Sequence, residues 1–392
     1  MARVELIMEP PVAVALSAPG ETRWGYHQFP ALSRLPDGSI LLVYSDAEDA
    51  SEAHGAPAPW YRSTDGGANW LSSGTRIEPT RPHYAVSRVF GGEYLVVPAT
   101  PYLDVAVDGI ELPEPASTGF TYQKTYSYRC SDLPVAAREY FGLLPARRRR
   151  PGSAEWESDT VVYDTTALVA RRRGESTLLP RTFFERAVVP FADELLYADY
   201  RAQYARDDGS VAAKGYSSLM VSADNGRSFA RRATIAIDPD DKDLMGEPAL
   251  CQTADGRLVC VVRRTDHVQK PMCIVWSDDA GRTWSAPQSL FEFGVWPCVL
   301  LLGNGALVLS YGRPGVHIAV DAHGTGERWS SHTAVIAGDH SAIQRHSCGY
   351  TSLLALDDET FLLAYSDFLR DSGQGRTCKA ILVRRVHARR TE

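Results

Sequence analysis

The 392 residues are 44% hydrophobic and 23% charged, enough apolar material for a well-buried core and too much for disorder over most of the length. The net charge of −7 argues against nucleic acid as the main partner. Length alone suggests two or three ordinary domains, although single all-β domains often run larger.

The first 21 residues, MARVELIMEPPVAVALSAPGE, place acids and prolines where a secretory leader needs an unbroken apolar stretch. No run reaches the roughly 20 apolar residues of a membrane span. The seven cysteines are an odd number without a Cys-x-x-Cys pair, so neither a disulfide framework nor a zinc site is expected. These features predict a soluble protein of a reducing compartment, the cytoplasm, without a membrane partner.

One pattern then recurs along the chain: a turn pair followed by an apolar run. It reads LPDGSILLVY (35–44), FGGEYLVV (90–97), FADELLYADY (191–200), TADGRLVCVV (253–262), LGNGALVLSY (302–311) and LDDETFLLAY (356–365). Asp-Gly and Asn-Gly before a β-rich run are hairpin signals, because those residues accept the positive φ of tight turns. A second pattern is sharper. Ser63-x-Asp65-x-Gly67-x-x-Trp70 is repeated as Ser222-x-Asp224-x-Gly226-x-x-Phe229 and Ser277-x-Asp279-x-Gly281-x-x-Trp284, with a worn copy from Asp321 to Trp329. Ser and Asp side chains there bond nearby backbone amides, Gly permits the turn, and the aromatic closes the strand end. These boxes read as structural.

Six hairpin units of similar length, separated once by a long gap, predict an all-β fold: a six-bladed β-propeller forming one domain over 1–392, with an insertion at about residues 98–190. Within that gap AAREYFGLL (136–144) predicts the one short helix. YQKTYSYRC (122–130) and ARRRRP (146–151) read as a solvated loop, a contact between subunits, or a lid over an anionic sugar.

The boxes and hairpins together resemble the sialidase (neuraminidase) superfamily of propellers, also called BNR-repeat proteins, over almost the whole chain. That family is known for three arginines gripping the substrate carboxylate, a Tyr nucleophile backed by a Glu, and an Asp acid/base. The stretch MGEPALCQTADGRLVCVVRR resembles the segment with the Glu and second arginine, which implies Glu247 and Arg263. Arg264 stands beside Arg263, and alternation lets only one of them face the channel. LSYGRPGVHIAVD resembles the third-arginine segment and implies Arg313. SCGYTSLLALDDETFLLAYSD resembles the nucleophile segment and implies Tyr350, with Asp367 where the family places a Glu that steadies the first arginine. The departure is at YHQFPALSRLPDG, where Gln28, with His27 beside it, takes the place of the first arginine. The loop expected to carry the acid/base holds Asp46, Asp49, Glu52 and His54, of which Asp49 is the choice and His54 a further sugar-binding candidate.

The chemistry of these residue types agrees with such roles. Arginine presents a planar, permanently charged fork suited to a carboxylate. A phenol titrates near 10, so Tyr350 needs a neighbouring carboxylate to act as a nucleophile. His27 or Gln28 suits a neutral hydroxyl better than a carboxylate, and His27, His54, His83, His267 and His346 are the histidines in or near loops. No phosphate-cradling loop, HExxH, serine elbow or EF-hand occurs, so no cofactor or metal is expected.

The leading expectation is an exo-acting, sialidase-like glycoside hydrolase on an acidic or deoxy sugar, retaining through Tyr350 and Glu247. Two others stand beside it. One is a polysaccharide lyase on a uronate, in which His27 or His54 becomes essential. The other is a non-catalytic sugar-binding propeller. The partner in each case is carbohydrate, and the insertion could pair subunits.

Overall fold

The computed structural model describes residues 3–72, 85–121, 123–265 and 269–391, and it is built almost wholly of antiparallel strands. The apolar runs after the predicted turns become the second strand of each main sheet: Ile40–Asp46, Glu194–Asp199, Leu258–Arg264, Leu307–Gly312 and Thr360–Asp371. Both faces of these strands are covered, so they read as continuous Val, Leu and Ile rather than as an alternation. No helix among the described residues is long and apolar enough to cross a membrane.

Three of the main sheets are four-stranded hairpin pairs. One runs Tyr26–Arg34, Ile40–Asp46, Trp60–Ser63 and Leu71–Ser72; the others start at Met245–Gln252 and at Val295–Leu301. An eight-stranded sheet divides into two antiparallel halves, joined only where Val162 and Tyr163 run parallel to Ser228 and Phe229. In the remaining sheet, Thr351–Ala355, Thr360–Asp371 and Thr377–Thr391 are completed by the N-terminal strand Arg3–Met8, in register from Arg3↔Thr391 to Met8↔Val386. The two ends of the chain therefore share one sheet. First strands follow one another in space: Met245–Gln252 lies against Val295–Leu301, that strand against Thr351–Ala355, and the last against Tyr26–Arg34.

The long gap differs from the expected single insertion. Two small sheets do stand apart, Ser117–Thr121 with Gln123–Arg129, Leu168–Arg173 and Gln203–Tyr204, and Leu103–Asp104 with Leu178–Leu179. Residues 143–163 instead return to the main sheets as two strands of the eight-stranded sheet. The basic run ARRRR is the reason, because it alternates. Leu144, Ala146 and Arg148 turn inward, and Arg148 is neutralised by Asp159 at 2.6 Å and Glu93 at 3.0 Å while donating to the carbonyls of Asn225 and Gly226. The helix spans Val135–Gly142 and buries Ala137 and Phe141.

The Ser-x-Asp-x-Gly turns are near-superimposable in their bonding. Gly67, Gly226 and Gly281 each donate their backbone N–H to the serine four residues earlier, at 2.8, 2.7 and 2.8 Å. Asp65, Asp224 and Asp279 each accept the backbone N–H four residues later, at 2.9 Å in all three. In the worn copy Asp321 takes over, accepting from Thr325 and Gly326 at 3.0 and 2.7 Å.

Candidate active site

Three first strands carry the same irregularity. At Phe29, Glu247 and Trp296 the backbone is left-handed, with φ of 54°, 52° and 46°, and each residue precedes a proline. The ladder slips there, between Gln28 and Ala31, Gly246 and Ala249, and Val295 and Cys298. Proline has no N–H to give the ladder, so a bulge is where a strand tolerates it. Left-handed non-glycine residues cost about 1–3 kcal/mol each and persist only where the surroundings impose them. Such bulges re-aim side chains, and these three bring theirs together.

Glu247 is the hub. Its Oε1 accepts the Arg263 guanidinium at 2.8 Å and the Tyr350 hydroxyl, and its Oε2 accepts the Trp296 backbone N–H at 2.7 Å. Only 4% of Glu247 and 7% of Arg263 is exposed. Burial would raise the Glu247 pKa, but Arg263, the Tyr350 hydroxyl, Arg313 and the Trp296 amide outweigh it and hold the carboxyl below its ordinary value. Burial and the adjacent Glu247 charge push the Tyr350 phenol well above its ordinary value, so it keeps its proton at neutral pH. Glu247 is therefore the ionised acceptor and Tyr350 the donor.

Aromatic rings hold Tyr350 in place. Trp296 stacks on it at 4.8 Å, with planes 8° apart, and Phe29 packs on it at 4.8 Å. Arg313 lies over both Tyr350 and Trp24, 5.4 and 5.3 Å from their centroids, and donates Nε and Nη2 to the Cys348 carbonyl. Arg264 points elsewhere and pairs with Asp243 at 2.8 Å.

Three residues here had not been singled out from the sequence. Glu185, 7% exposed, accepts Arg201 at 2.7 Å, and the two lie sixteen residues apart as Glu247 and Arg263 do. Arg186 lies 4.2 Å over the Trp296 ring and donates to Cys298 Sγ at 3.2 Å. A signal was available. Phe29, Glu185, Glu247, Trp296 and Tyr350 each stand eleven residues before a fully buried residue of a second strand: Ile40, Leu196, Leu258, Leu307 and Phe361. The same count from Leu95 falls on Tyr84, outside the described residues.

The other candidates lie around this centre or apart from it. Asp49 is exposed on its loop and accepts the Trp24 indole N–H at 3.2 Å, which links it through Trp24 to Arg313. His54 stacks on Tyr102 at 4.0 Å, bonds the Tyr102 hydroxyl at 2.6 Å and meets Phe183 edge-on. Gln28 is fully buried, and neither end of its amide has a hydrogen-bond partner among the described residues. His27 instead faces Asp46, at 2.9 Å, and Tyr44. Asp367 accepts the N–H of Leu369 at 2.9 Å, on its own strand. His346 bonds the Ala337 carbonyl, and His83 and His267 lie outside the described residues. Among the described residues no cluster of His, Cys, Asp and Glu is arranged to hold a metal ion.

No protein-family model matches the chain, and no curated protein does. Solved structures do. A protein of unknown function from Dyadobacter fermentans is 17% identical with a TM-score of 0.64, covering 98% of this chain and 99% of its own. The GH93 α-L-arabinofuranosidase of Fusarium graminearum, solved with arabinobiose, is 15% identical with a TM-score of 0.57, covering 96% and 98%. The NanB sialidase of Streptococcus pneumoniae, as its K499G mutant, is 14% identical with a TM-score of 0.50, covering 97% and 70%. The chain thus has the fold of the propeller-type glycoside hydrolases, with arabinofuranosidases and sialidases among its structural neighbours.

Proposed function

We propose that the protein is a glycoside hydrolase whose sheets form a six-bladed propeller, with its reaction centre at Tyr350 and Glu247. One observation carries this reading: a neutral phenol donates to a buried, ionised carboxylate that a guanidinium holds in place, Glu247 and Arg263 coming from two paired strands and Tyr350 from the residue before a strand of another sheet. A surface tyrosine has no use for so costly an arrangement, since a carboxylate is taken out of water only where partners repay it. Two of the three structural neighbours described above, the arabinofuranosidase and the sialidase, are enzymes of carbohydrate, which supports the same class.

In this reading Tyr350 Oη attacks the anomeric carbon and passes its proton to Glu247, while the bond to the leaving-group oxygen breaks. Asp49, exposed on its loop, gives the leaving oxygen its proton and later takes one from the water that releases the sugar, while Glu247 returns its proton to the departing Tyr350 oxygen. The sugar leaves with retained configuration. Arg263 keeps Glu247 charged and oriented, and Trp296 and Phe29 fix the phenol. Glu185, held by Arg201, is a second buried carboxylate, next in the chain to Arg186, which lies on Trp296.

The test is to incubate the protein with acidic and neutral oligosaccharides while following released reducing sugar and ultraviolet absorbance together. Reducing sugar without absorbance is expected. Absorbance rising with cleavage would mark an unsaturated uronate, hence a lyase, and shift attention to His54 with its Tyr102 partner. Saturable binding without cleavage would mark a sugar-binding protein.

A further inference from the structure

A groove of about 570 Å³ lies away from Tyr350, lined by Trp276, Trp284, Arg257, Asp278, Gln288 and Glu327. That volume falls within the range of about 300–1,000 Å³ usual for ligand sites. The strand register puts the groove at the far end of its sheet from Glu247. Gly246 pairs with Arg263 at one end, whereas Gln252 pairs with Leu258, and Leu258 with Ser277, at the other. Roughly 15 Å of strand separates the two ends. The third serine–aspartate turn forms part of the groove wall and supplies Trp284.

Both indoles are anchored. Trp276 donates its N–H to the Thr325 carbonyl at 3.0 Å, and Trp284 donates to the Gly281 carbonyl at 3.2 Å. Their polar edges are satisfied inside the protein and the rings are half-buried, so what they offer a ligand is carbon surface. Among the described residues that line the groove, Arg257 is the one cation, against the carboxylates of Asp278, Asp279 and Glu327. Arg257 is already engaged, by Asp255 at 2.9 Å and by Glu327 at 2.7 Å. Asp278 and Glu327 leave 80% and 50% of their side chains in water, so the rim repels an anion. An uncharged sugar chain suits such a place. Its C–H faces pack on indole, and its hydroxyls donate to carboxylates or exchange hydrogen bonds with the exposed Gln288 amide.

We infer that this groove is a second carbohydrate site, which holds a neutral oligosaccharide chain apart from the reaction centre. It stands on the groove alone and not on the chemistry proposed at Tyr350.

The experiment is calorimetric titration of the full chain with cellohexaose, xylohexaose and mannohexaose, and with hexagalacturonate as the acidic counterpart. At least one neutral hexasaccharide should bind. Trp276→Ala should weaken that binding about tenfold or more, and Gln288→Ala about threefold. Glu247→Gln, which breaks the central pair, should leave it unchanged, and any binding of hexagalacturonate should not respond to Trp276→Ala. Melting curves show which variants are folded, and the exposed Gln288→Ala keeps the test open where Trp276→Ala is not. Binding of no neutral hexasaccharide, undiminished binding by the folded groove variants, or binding lost in folded Glu247→Gln instead would each overturn the inference. The hydrolase reading fails separately: groove binding without turnover of any oligosaccharide would remove that reading and leave the groove, and turnover without Trp276-dependent binding would do the reverse.

Discussion

Trp296 lies flat against Tyr350, its ring 4.8 Å away and 8° from parallel, and its own backbone N–H bonds the carboxylate that Tyr350 bonds. One residue thus positions both halves of the proposed reacting pair. Its left-handed backbone, set by the bulge before Pro297, lets it do both. Trp296→Ala should lower stability by about 3–5 kcal/mol, as expected for removing a buried tryptophan, and lower turnover as well. Trp296→Phe keeps a stacking face and should keep most of the stability. Denaturant unfolding alongside turnover checks both.

Glu247 makes a prediction about pH. Its folded-state pKa lies below the ordinary 4.5, so the stability it contributes is full above that value and is lost as pH falls through the folded-state pKa. The acid limb of kcat/KM should therefore lie below 4.5. Arg263→Gln removes the nearest counter-charge and should move the limb upward, whereas Arg263→Lys should move it less. A pH–rate profile of the three proteins decides this.

Two histidines should make the fold acid-sensitive on their own. Burial lowers the pKa of His317 and His332, which pack among Phe291, Phe293 and Tyr311. The unfolded chain binds these protons first, so stability falls as pH drops below the ordinary histidine value of 6.5 and levels off below the folded-state values. Urea midpoints at pH 7.5 and 5.5 should differ, and His317→Gln should narrow the gap.

The serine–aspartate turns should prove structural. A Cβ on Gly281 would meet Leu219 Cδ2 at 2.2 Å, at a φ of +78° that side chains rarely adopt. Gly281→Ala should thus destabilise the neighbouring pair of sheets. Ser277→Ala removes the acceptor for the Gly281 N–H and should cost about 1 kcal/mol or somewhat more. Neither should change kcat in the fraction that stays folded, as melting curves and turnover at low temperature would show.

Much of this was legible in the sequence, for local reasons. Turn glycines and the apolar runs after them announce second strands, and Glu247, Arg263, Arg313 and Tyr350 sit in segments whose order along the chain is itself a pattern. The limits were local too. Residues 143–163 looked like part of an insertion because ARRRR is so basic, and only long-range pairing to Tyr94–Val96, with Arg148 neutralised by Glu93, makes them sheet. Glu185 and Arg201 were overlooked because the turn between them has lost its glycine, although the sixteen-residue spacing survives. Arg186 has no local signature at all; it meets a tryptophan 110 residues away.

The central claim is tested most directly by replacing the Tyr350 hydroxyl alone. Tyr350→Phe preserves the stack on Trp296 and should melt close to wild type, yet lose roughly 10²-fold or more of kcat/KM on any oligosaccharide the wild-type protein cleaves. A folded Tyr350→Phe protein that cleaves as fast as wild type would contradict the account.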